Sequence, residues 1–393
     1  MVEQHELEVN WSLVTDQEQL KRAAESLNEG VGPTGVDAER ASGYRYRSDA
    51  YLVQVHRTGS GTFLFDPVTL EDFSPLAEAI GETEWVLHAA SQDLECLRGL
   101  GLEPPRLFDT ELASRLLGFE RVGLGSIVEK LLGVKLHKAH SSADWSTRPL
   151  PEPWLEYAAL DVVLLPDLRE AVAAELEAQN KTEFAEQEFS ATLNRAPKPA
   201  VAEPWRKLAG GNRLSTPREL TIARELWNAR DAYAQEIDVA PGRLLPDTSL
   251  IAAARQNPRS LAQLASNPEF KGRASKSQLP RWWKAILKAK TAEPPTPRPR
   301  VESEMPNHRS WPQRFPLAAA RLALAREAVM AEAQRQHMPV ETLISPDTLR
   351  RLVWQPPEPV SVEAVADRLR ELGARTWQSQ LIAPILAPLF VES

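Results

Sequence analysis

Two proline-rich stretches constrain this chain more than any other feature. Residues 194–204 read NRAPKPAVAEP, and residues 291–306 read TAEPPTPRPRVESEMP. Proline fixes φ and removes a backbone donor, so runs this dense belong to neither a helix interior nor an inner strand. They read as linkers and cut the chain into three. A chain of 393 residues is also too long for one core of ordinary size, and two or three domains are expected.

Hydrophobic residues make up 42% and charged residues 25%, a balance that excludes fibrous and broadly disordered classes. The single cysteine, Cys96, has no internal disulfide partner, and the first ten residues carry neither a basic region nor an apolar run. No stretch of about 18 apolar residues occurs. A soluble, cytoplasmic protein is expected.

The net charge of −8 conceals an asymmetry. Residues 205–300 carry 18 Lys and Arg against 8 Asp and Glu, whereas the segment before them is strongly acidic and the one after nearly neutral. An acidic part joined to a cationic module suits attraction and orientation of a polyanion.

The first third alternates signals. A helical pattern over Asp16 to Asn28 precedes TGVDAE; the strand-like Tyr51 to His56 and Thr62 to Asp66 flank a Gly-Ser-Gly turn at 59–61. A helical Glu71 to Ile80 leads to the apolar strand WVLHA, and helical patterns are expected to dominate from Ser91 onward. This predicts an α/β domain. The two later segments resemble each other: Pro246-Asp247-Thr248 recurs one hundred residues on as Pro346-Asp347-Thr348. Each follows a long Ala/Arg/Glu helix, Pro217 to Ile237 and Leu317 to Gln336, so a duplicated helical module is expected.

Three groups of acids could carry chemistry. Asp37 and Glu39 stand two apart on a predicted strand, which puts both carboxylates on one face. Asp93 follows the strand Trp85 to His88 near a helix start, where capping is the plain alternative. Tyr157 and Asp161, at i and i+4 of a helical stretch, share a face. Asp161 lies among Ala158, Ala159, Leu160, Val162 and Val163, an environment in which a carboxylate needs a cation or donor. Four hard carboxylate ligands without a Cys or His cluster fit two divalent ions, Mg²⁺ or Mn²⁺, rather than zinc.

These residues carry a resemblance. Asp37-Ala-Glu39, His88-Ala-Ala-Ser-Gln-Asp93-Leu and Tyr157-Ala-Ala-Leu-Asp161 resemble the three exonuclease motifs of the tyrosine-bearing branch of the DEDD superfamily. Phe108-Asp109-Thr110, Gly123-Leu124, Leu132-Gly133-Val134, Lys138 and the run Asp144 to Leu150 look like ribonuclease D in particular. The resemblance covers about residues 10 to 195, and the later segments look like HRDC helical modules. It implies a ribonuclease-H-like exonuclease domain at 1–195, with a mixed sheet flanked by helices, then all-α HRDC-like domains at 211–290 and 313–393. It further implies a 3′-to-5′ exoribonuclease with metal ligands Asp37, Glu39, Asp93 and Asp161 and a water-orienting Tyr157. The implied cofactors are two divalent ions, and the implied products nucleoside 5′-monophosphates. The implied partner is RNA with a free 3′ end, such as tRNA precursors; no membrane and no protein partner is expected. The chain departs from the pattern in the alanine of D-A-E, where the family more often has threonine, and in VWQPPEP at 353–359, which breaks the second module's helical pattern.

Other residues are weighed against plainer roles. Gln54 and His88 could touch a terminal nucleotide, but buried side chains satisfied by the backbone are expected. Lys138, His140, Trp145 and Arg148 could grip phosphate or stack on a base; for Trp145 a small satellite core is the plainer reading. Trp227, Trp282 and Trp283 are expected in a core, and Arg273, Lys276, Arg281, Lys284 and Lys288 form the candidate RNA surface. An acid neighbour should raise the pKa of Cys96 and blunt it. Single-stranded DNA as substrate, and an inactive RNA-binding protein, are the competing readings; no phosphate-loop motif of a helicase is present.

Overall fold

The computed structural model describes residues 9–136, 143–196, 199, 201–270, 272–296 and 305–391. Its N-terminal part is built on one sheet of six strands: β1 (Trp11–Val14), β2 (Val31–Arg40), β3 (Ala50–Thr58), β4 (Gly61–Phe65), β5 (Glu84–Leu87) and β6 (Arg106–Asp109). Their spatial order is β1-β4-β3-β2-β5-β6. The central pairs β2/β3 and β3/β4 are antiparallel, and the outer pairs β1/β4, β2/β5 and β5/β6 are parallel. The mixed sheet is as expected, and so is the glycine turn between β3 and β4, where Gly59 and Gly61 take φ of +85° and +107°. Helices dominate from Ser91 onward as expected, interrupted by β6, an edge strand of RLFD. Both β6 and β1 are four-residue elements formed by parallel pairing with distant strands, and so short a run has no period that separates strand from helix.

Among the described residues eight helices flank the sheet: α1 (Gln17–Glu29), α2 (Ser74–Ile80), α3 (Leu94–Gly99), α4 (Thr110–Leu116), α5 (Leu124–Leu132), α6 (Glu152–Val163), α7 (Leu165–Ala178) and α8 (Thr182–Leu193). Alternation along the central strands separates two faces. Val36, Ala38, Val53 and Val55 enter the main core, while Leu52 and Leu64 form a smaller core with Trp145, Leu155, Ala158 and Ala159 beneath α6. Each of these fully buried large side chains contributes about 1.5–3 kcal/mol through removal from water. The second face is therefore the one that carries Asp37 and Glu39.

The helical remainder shows the duplication. The first copy runs α9 (Pro217–Glu236), α10 (Pro241–Leu244), α11 (Asp247–Gln256), α12 (Leu261–Ala265), α13 (Arg273–Ser277) and α14 (Leu279–Thr291). The second runs α15 (Trp311–Arg314), α16 (Pro316–Arg335), α17 (Val340–Leu343), α18 (Pro346–Trp354), α19 (Val362–Glu371) and α20 (Thr376–Val391). In each, a helix of 20 residues leads through a helix of four to the one that begins at Pro-Asp-Thr. A reciprocal bond between Thr216 and Glu219 starts α9, and the Ser345 hydroxyl accepts from the Thr348 N–H at 3.0 Å to start α18. Helix α18 stops at Trp354, where the prolines of VWQPPEP begin.

The copies pack differently. The first has its own core, centred on Ile222, Leu226, Leu250, Phe270, Trp282 and Ile286. The second shares the main core of the sheet domain through residues such as Leu322, Val329, Leu352, Trp377 and Leu386. Trp377 stacks on Phe184 at 4.6 Å between ring centroids and donates from its indole nitrogen to Glu188 at 3.0 Å. The buried Lys181 ammonium donates to the carbonyls of Leu116 and Gln336, each at 2.6 Å. Gly118, at φ +74°, lets His337 approach so closely that a Cβ there would lie 1.9 Å from its carbonyl oxygen.

Candidate active site

Asp37 and Glu39 stand on β2 with their side chains turned toward α6, as the two-residue period requires. Helix α6 crosses that face and presents Tyr157 and Asp161 one turn apart. Gly35 makes the crossing possible: a Cβ at that position would lie 2.7 Å from the carbonyl oxygen of Val162, the residue after Asp161. Carboxylate oxygens of Asp37, Glu39 and Asp161 come within 4.8 Å of one another. The phenol of Tyr157 hydrogen-bonds to Asp161.

Asp93 reaches the site from the turn that follows β5. It occupies the first position before α3, yet its side chain makes no capping bond, so the plain alternative of helix capping is not realised. Its carboxylate instead lies 3.6 Å from the guanidinium of Arg40 and stands outside the trio of converging acids. The turn itself is held by Asp109, whose buried carboxylate accepts from the backbone N–H groups of Ala89, Ala90, Glu111 and Leu112 at 2.9–3.1 Å. Ala89 sits at φ +63°, a conformation that needs such support. Asp109 enters the sequence reading only as part of the resemblance; its structural role has no signature in one sequence.

Burial and mutual repulsion disfavour ionisation of the cluster. Desolvation is the larger cause for each acid: it moves Asp37 up to about 6, Glu39 to about 9, and Asp93 and Asp161 to about 8. For Glu39 the charges of Asp37, Asp161 and Asp93 add to the rise, and for Asp93 and Asp161 that of Asp37 does. The phenol of Tyr157 is pushed above its usual range by burial, then by Asp161. The charge of Arg40, which pairs with Asp93, lowers the pKa of Asp37 and Glu39 but does not offset their burial. Buried all-oxygen donors that converge in this way fit a hard divalent cation.

Several sequence expectations are corrected here. Arg148 is consumed structurally: its guanidinium takes both oxygens of the buried Asp66 at 2.6 and 2.7 Å and also donates to the carbonyls of Tyr51, Trp145 and Thr147. Trp145 is fully buried in the small core, as its plainer reading holds. Lys138 and His140 lie outside the described residues. His88 is satisfied by the Thr110 hydroxyl at 2.9 Å rather than by backbone, and burial lowers its pKa to about 4. Gln54 has no hydrogen-bond partner among the described residues, against the expectation that the backbone satisfies it. Cys96 is buried and its thiol is pushed up to about 12, by desolvation first and Asp93 second. Trp282 is core, with Trp227 and Trp283 packed against it.

A 3′-5′ exonuclease family model matches residues 11–177, an HRDC domain model residues 219–286, and a 3′ to 5′ exonuclease C-terminal domain model residues 304–390. The chain is 33% identical to ribonuclease D of Jannaschia sp. over 245 residues, which is 59% of this chain and 62% of that one. With ribonuclease D of Pseudomonas paraeruginosa it shares 34% over 221 residues, 55% of this chain and 58% of that one. These matches thus span under two thirds of the relatives' own lengths. A crystal structure of a protein from Bifidobacterium adolescentis superposes with a TM-score of 0.86 at 35% identity and covers 97% of both chains. The chain resembles ribonuclease D and carries 3′-5′ exonuclease and HRDC domains. Escherichia coli RNase D, described as an exoribonuclease involved in structured RNA processing, superposes with a TM-score of 0.68 at 26% identity, over 98% of this chain and 99% of that one.

The ribonuclease-H-like fold, followed by helical modules, is thus shared with Escherichia coli RNase D. The exonuclease domain of the ribonuclease D family is metal-dependent, and this chain carries an acidic cluster. No helix among the described residues is long and apolar enough to cross a membrane.

The HRDC module meets the sheet domain at the loop between β2 and β3, directly after Glu39. Asp238, at φ +48°, accepts from the N–H groups of Tyr46 and Arg47 at 3.2 and 3.1 Å and from the Tyr51 hydroxyl at 3.4 Å. Arg243 donates to the Gly43 carbonyl at 2.7 Å and lies 3.9 Å over the Tyr44 ring. Sequence reasoning missed this clamp because its partners are about two hundred residues apart.

Proposed function

We propose that the chain is a 3′-to-5′ exoribonuclease that hydrolyses RNA phosphodiesters and releases nucleoside 5′-monophosphates. The reading rests above all on one observation: Asp37, Glu39 and Asp161 bring ligand oxygens within 4.8 Å of one another, with Tyr157 bonded to the last. In this reading Asp37, Glu39, Asp93 and Asp161 hold two divalent ions, Mg²⁺ or Mn²⁺. Bound there, the ions would lower the pKa of the attacking water and stabilise the leaving 3′ oxygen. Tyr157, kept protonated by its buried acidic surroundings, keeps a hydrogen to donate and orients the attacking water. Apolar packing of Leu155, Ala158 and Ala159 beneath α6 fixes the helix that carries both residues.

The substrate proposed is RNA with a free 3′ end, tRNA precursors and other structured RNAs among them, processed in the cytoplasm. Support comes from the likeness to Escherichia coli RNase D and from the cationic first module. There Arg273, Lys276, Lys284 and Lys288 are exposed, while Arg281 stacks 3.8 Å over Tyr233. Such a surface takes phosphates without reading bases.

The test is digestion of 5′-labelled single-stranded RNA with an unpaired 3′ tail, and of its DNA counterpart, with Mg²⁺, Mn²⁺ or EDTA. A metal-dependent ladder that shortens RNA from its 3′ end, absent for Asp161→Asn, is expected. Equal or faster loss of DNA would move the substrate class, since the choice depends on contact with the 2′-hydroxyl. No loss of either would leave an RNA-binding protein.

A further inference from the structure

Gln54 is the anomaly of the catalytic face. It stands on β3 in register with Asp37 on β2, and an antiparallel pair of this kind points both side chains to one face with Cβ atoms about 5 Å apart. Its amide is fully buried, and neither its oxygen nor its nitrogen has a hydrogen-bond partner among the described residues. Its other neighbour in register is Leu64, which belongs to the small core under α6. The indole nitrogen of Trp145 in that core is likewise buried without a partner among the described residues. A buried amide that makes no bond costs about 1–3 kcal/mol, so apolar residues would serve better there if packing were the only demand.

We infer that Gln54 is a positioning residue for Asp37: its amide fixes the Asp37 carboxylate, directly or through a buried water, when that carboxylate ligates a cation. This rests on the metal-site reading of the acidic cluster. The chemistry is complementary. An amide nitrogen donates two hydrogens, an ionised carboxylate only accepts, and ligand carboxylates are held by hydrogen bonds from behind. In the metal-free structure neither the oxygen nor the nitrogen of the Gln54 amide makes a hydrogen bond to a described residue. Gln54 thus contributes nothing to the metal-free fold and acts only in the loaded one.

Opposite signs in two measurements follow. Gln54→Met removes the amide and keeps the length of the side chain. Melting of the metal-free variant in EDTA should be unchanged or higher than wild type, while Mn²⁺ affinity by calorimetry should fall 10- to 100-fold. A residue that merely fills space would lower melting and leave affinity alone. Unchanged Mn²⁺ affinity, or a destabilised metal-free variant, overturns the inference. Failure of the metal-site reading is distinguishable, because wild type itself would then bind no Mn²⁺ and Asp161→Asn would not differ from it.

Discussion

Loading the site with a divalent cation at neutral pH should expel protons, and the number expelled reports which acids take part. At pH 7 Glu39 and Asp161, with pKa near 9 and 8, each hold a proton, whereas Asp37, near 6, has mostly lost its own. A cation seated on these three must therefore displace about two protons. Asp93, also near 8, adds a third if its carboxylate leaves Arg40 for the metal. Titration of the metal-free protein with Mn²⁺ in buffers of different ionisation enthalpy measures the release. The expected value is about 2 if only the trio binds and about 3 if Asp93 joins, falling below about 1 above pH 9.5. Apparent affinity should rise by the same power of ten per pH unit. The sign for stability is the reverse: these acids keep protons in the folded state that the unfolded chain loses near pH 4. Their contribution to the metal-free fold is thus full below that pH and is lost progressively as pH rises from there through the folded values, about 6 for Asp37 and about 9 for Glu39. Release of less than one proton at pH 7, or a metal-free melting temperature that climbs between pH 6 and 9, would refute the rise in acid pKa that burial and repulsion cause at this site.

Tyr157→Phe should lower kcat about 100-fold with Mn²⁺ affinity almost intact; a matching loss of affinity would show that the phenol serves the metal instead of the water. Asp238→Ala removes the acceptor of Tyr46, Arg47 and Tyr51, and should cost about 1–3 kcal/mol in unfolding with reduced kcat/KM on RNA. Unchanged kcat/KM would separate the clamp from catalysis. Gly118→Ala puts a Cβ against His337 at a positive φ, so a loss of at least about 2 kcal/mol is expected in denaturant unfolding. Neutralising Arg273, Lys276, Lys284 and Lys288 together should flatten the log-log salt dependence of RNA binding by about 3, near 0.7 per phosphate contact; an unchanged slope would place the RNA elsewhere.

The acids were legible because they lie on regular elements. A two-residue period places Asp37 with Glu39, and a helical turn places Tyr157 with Asp161. What a period cannot give is the distance between elements, and there the sequence fell silent. Nothing local marks Gly35 as the point where α6 meets β2, Asp109 as the support of the turn that carries Asp93, or Arg40 as its ion partner. Arg148 shows the converse: its type suggests a phosphate ligand, and only Asp66, 82 residues away, reveals that its charge is already satisfied.

The same distinction between local pattern and long-range contact accounts for the fate of the two helical copies. Both keep the order of long helix, short helix and Pro-Asp-Thr helix, so their difference lies in what they pack against. The second copy merges with the main core and turns Trp377, Arg375 and the Gln336 carbonyl inward to Phe184, Glu188 and Lys181. A module so engaged acts as a brace behind the sheet, and its nearly neutral charge fits a role without a polyanion to attract. The first copy keeps a separate core and touches the sheet domain at the β2–β3 loop beside Glu39, which leaves its cationic helices α13 and α14 exposed to solvent. Charge persists where a surface remains free to meet phosphate, and apolar packing replaces it where the surface is covered. Exchange of the two copies' exposed residues should therefore transfer RNA binding only in one direction: cationic residues placed on the second copy would gain salt-sensitive affinity without catalysis, because it is the first copy that grips the loop following Glu39.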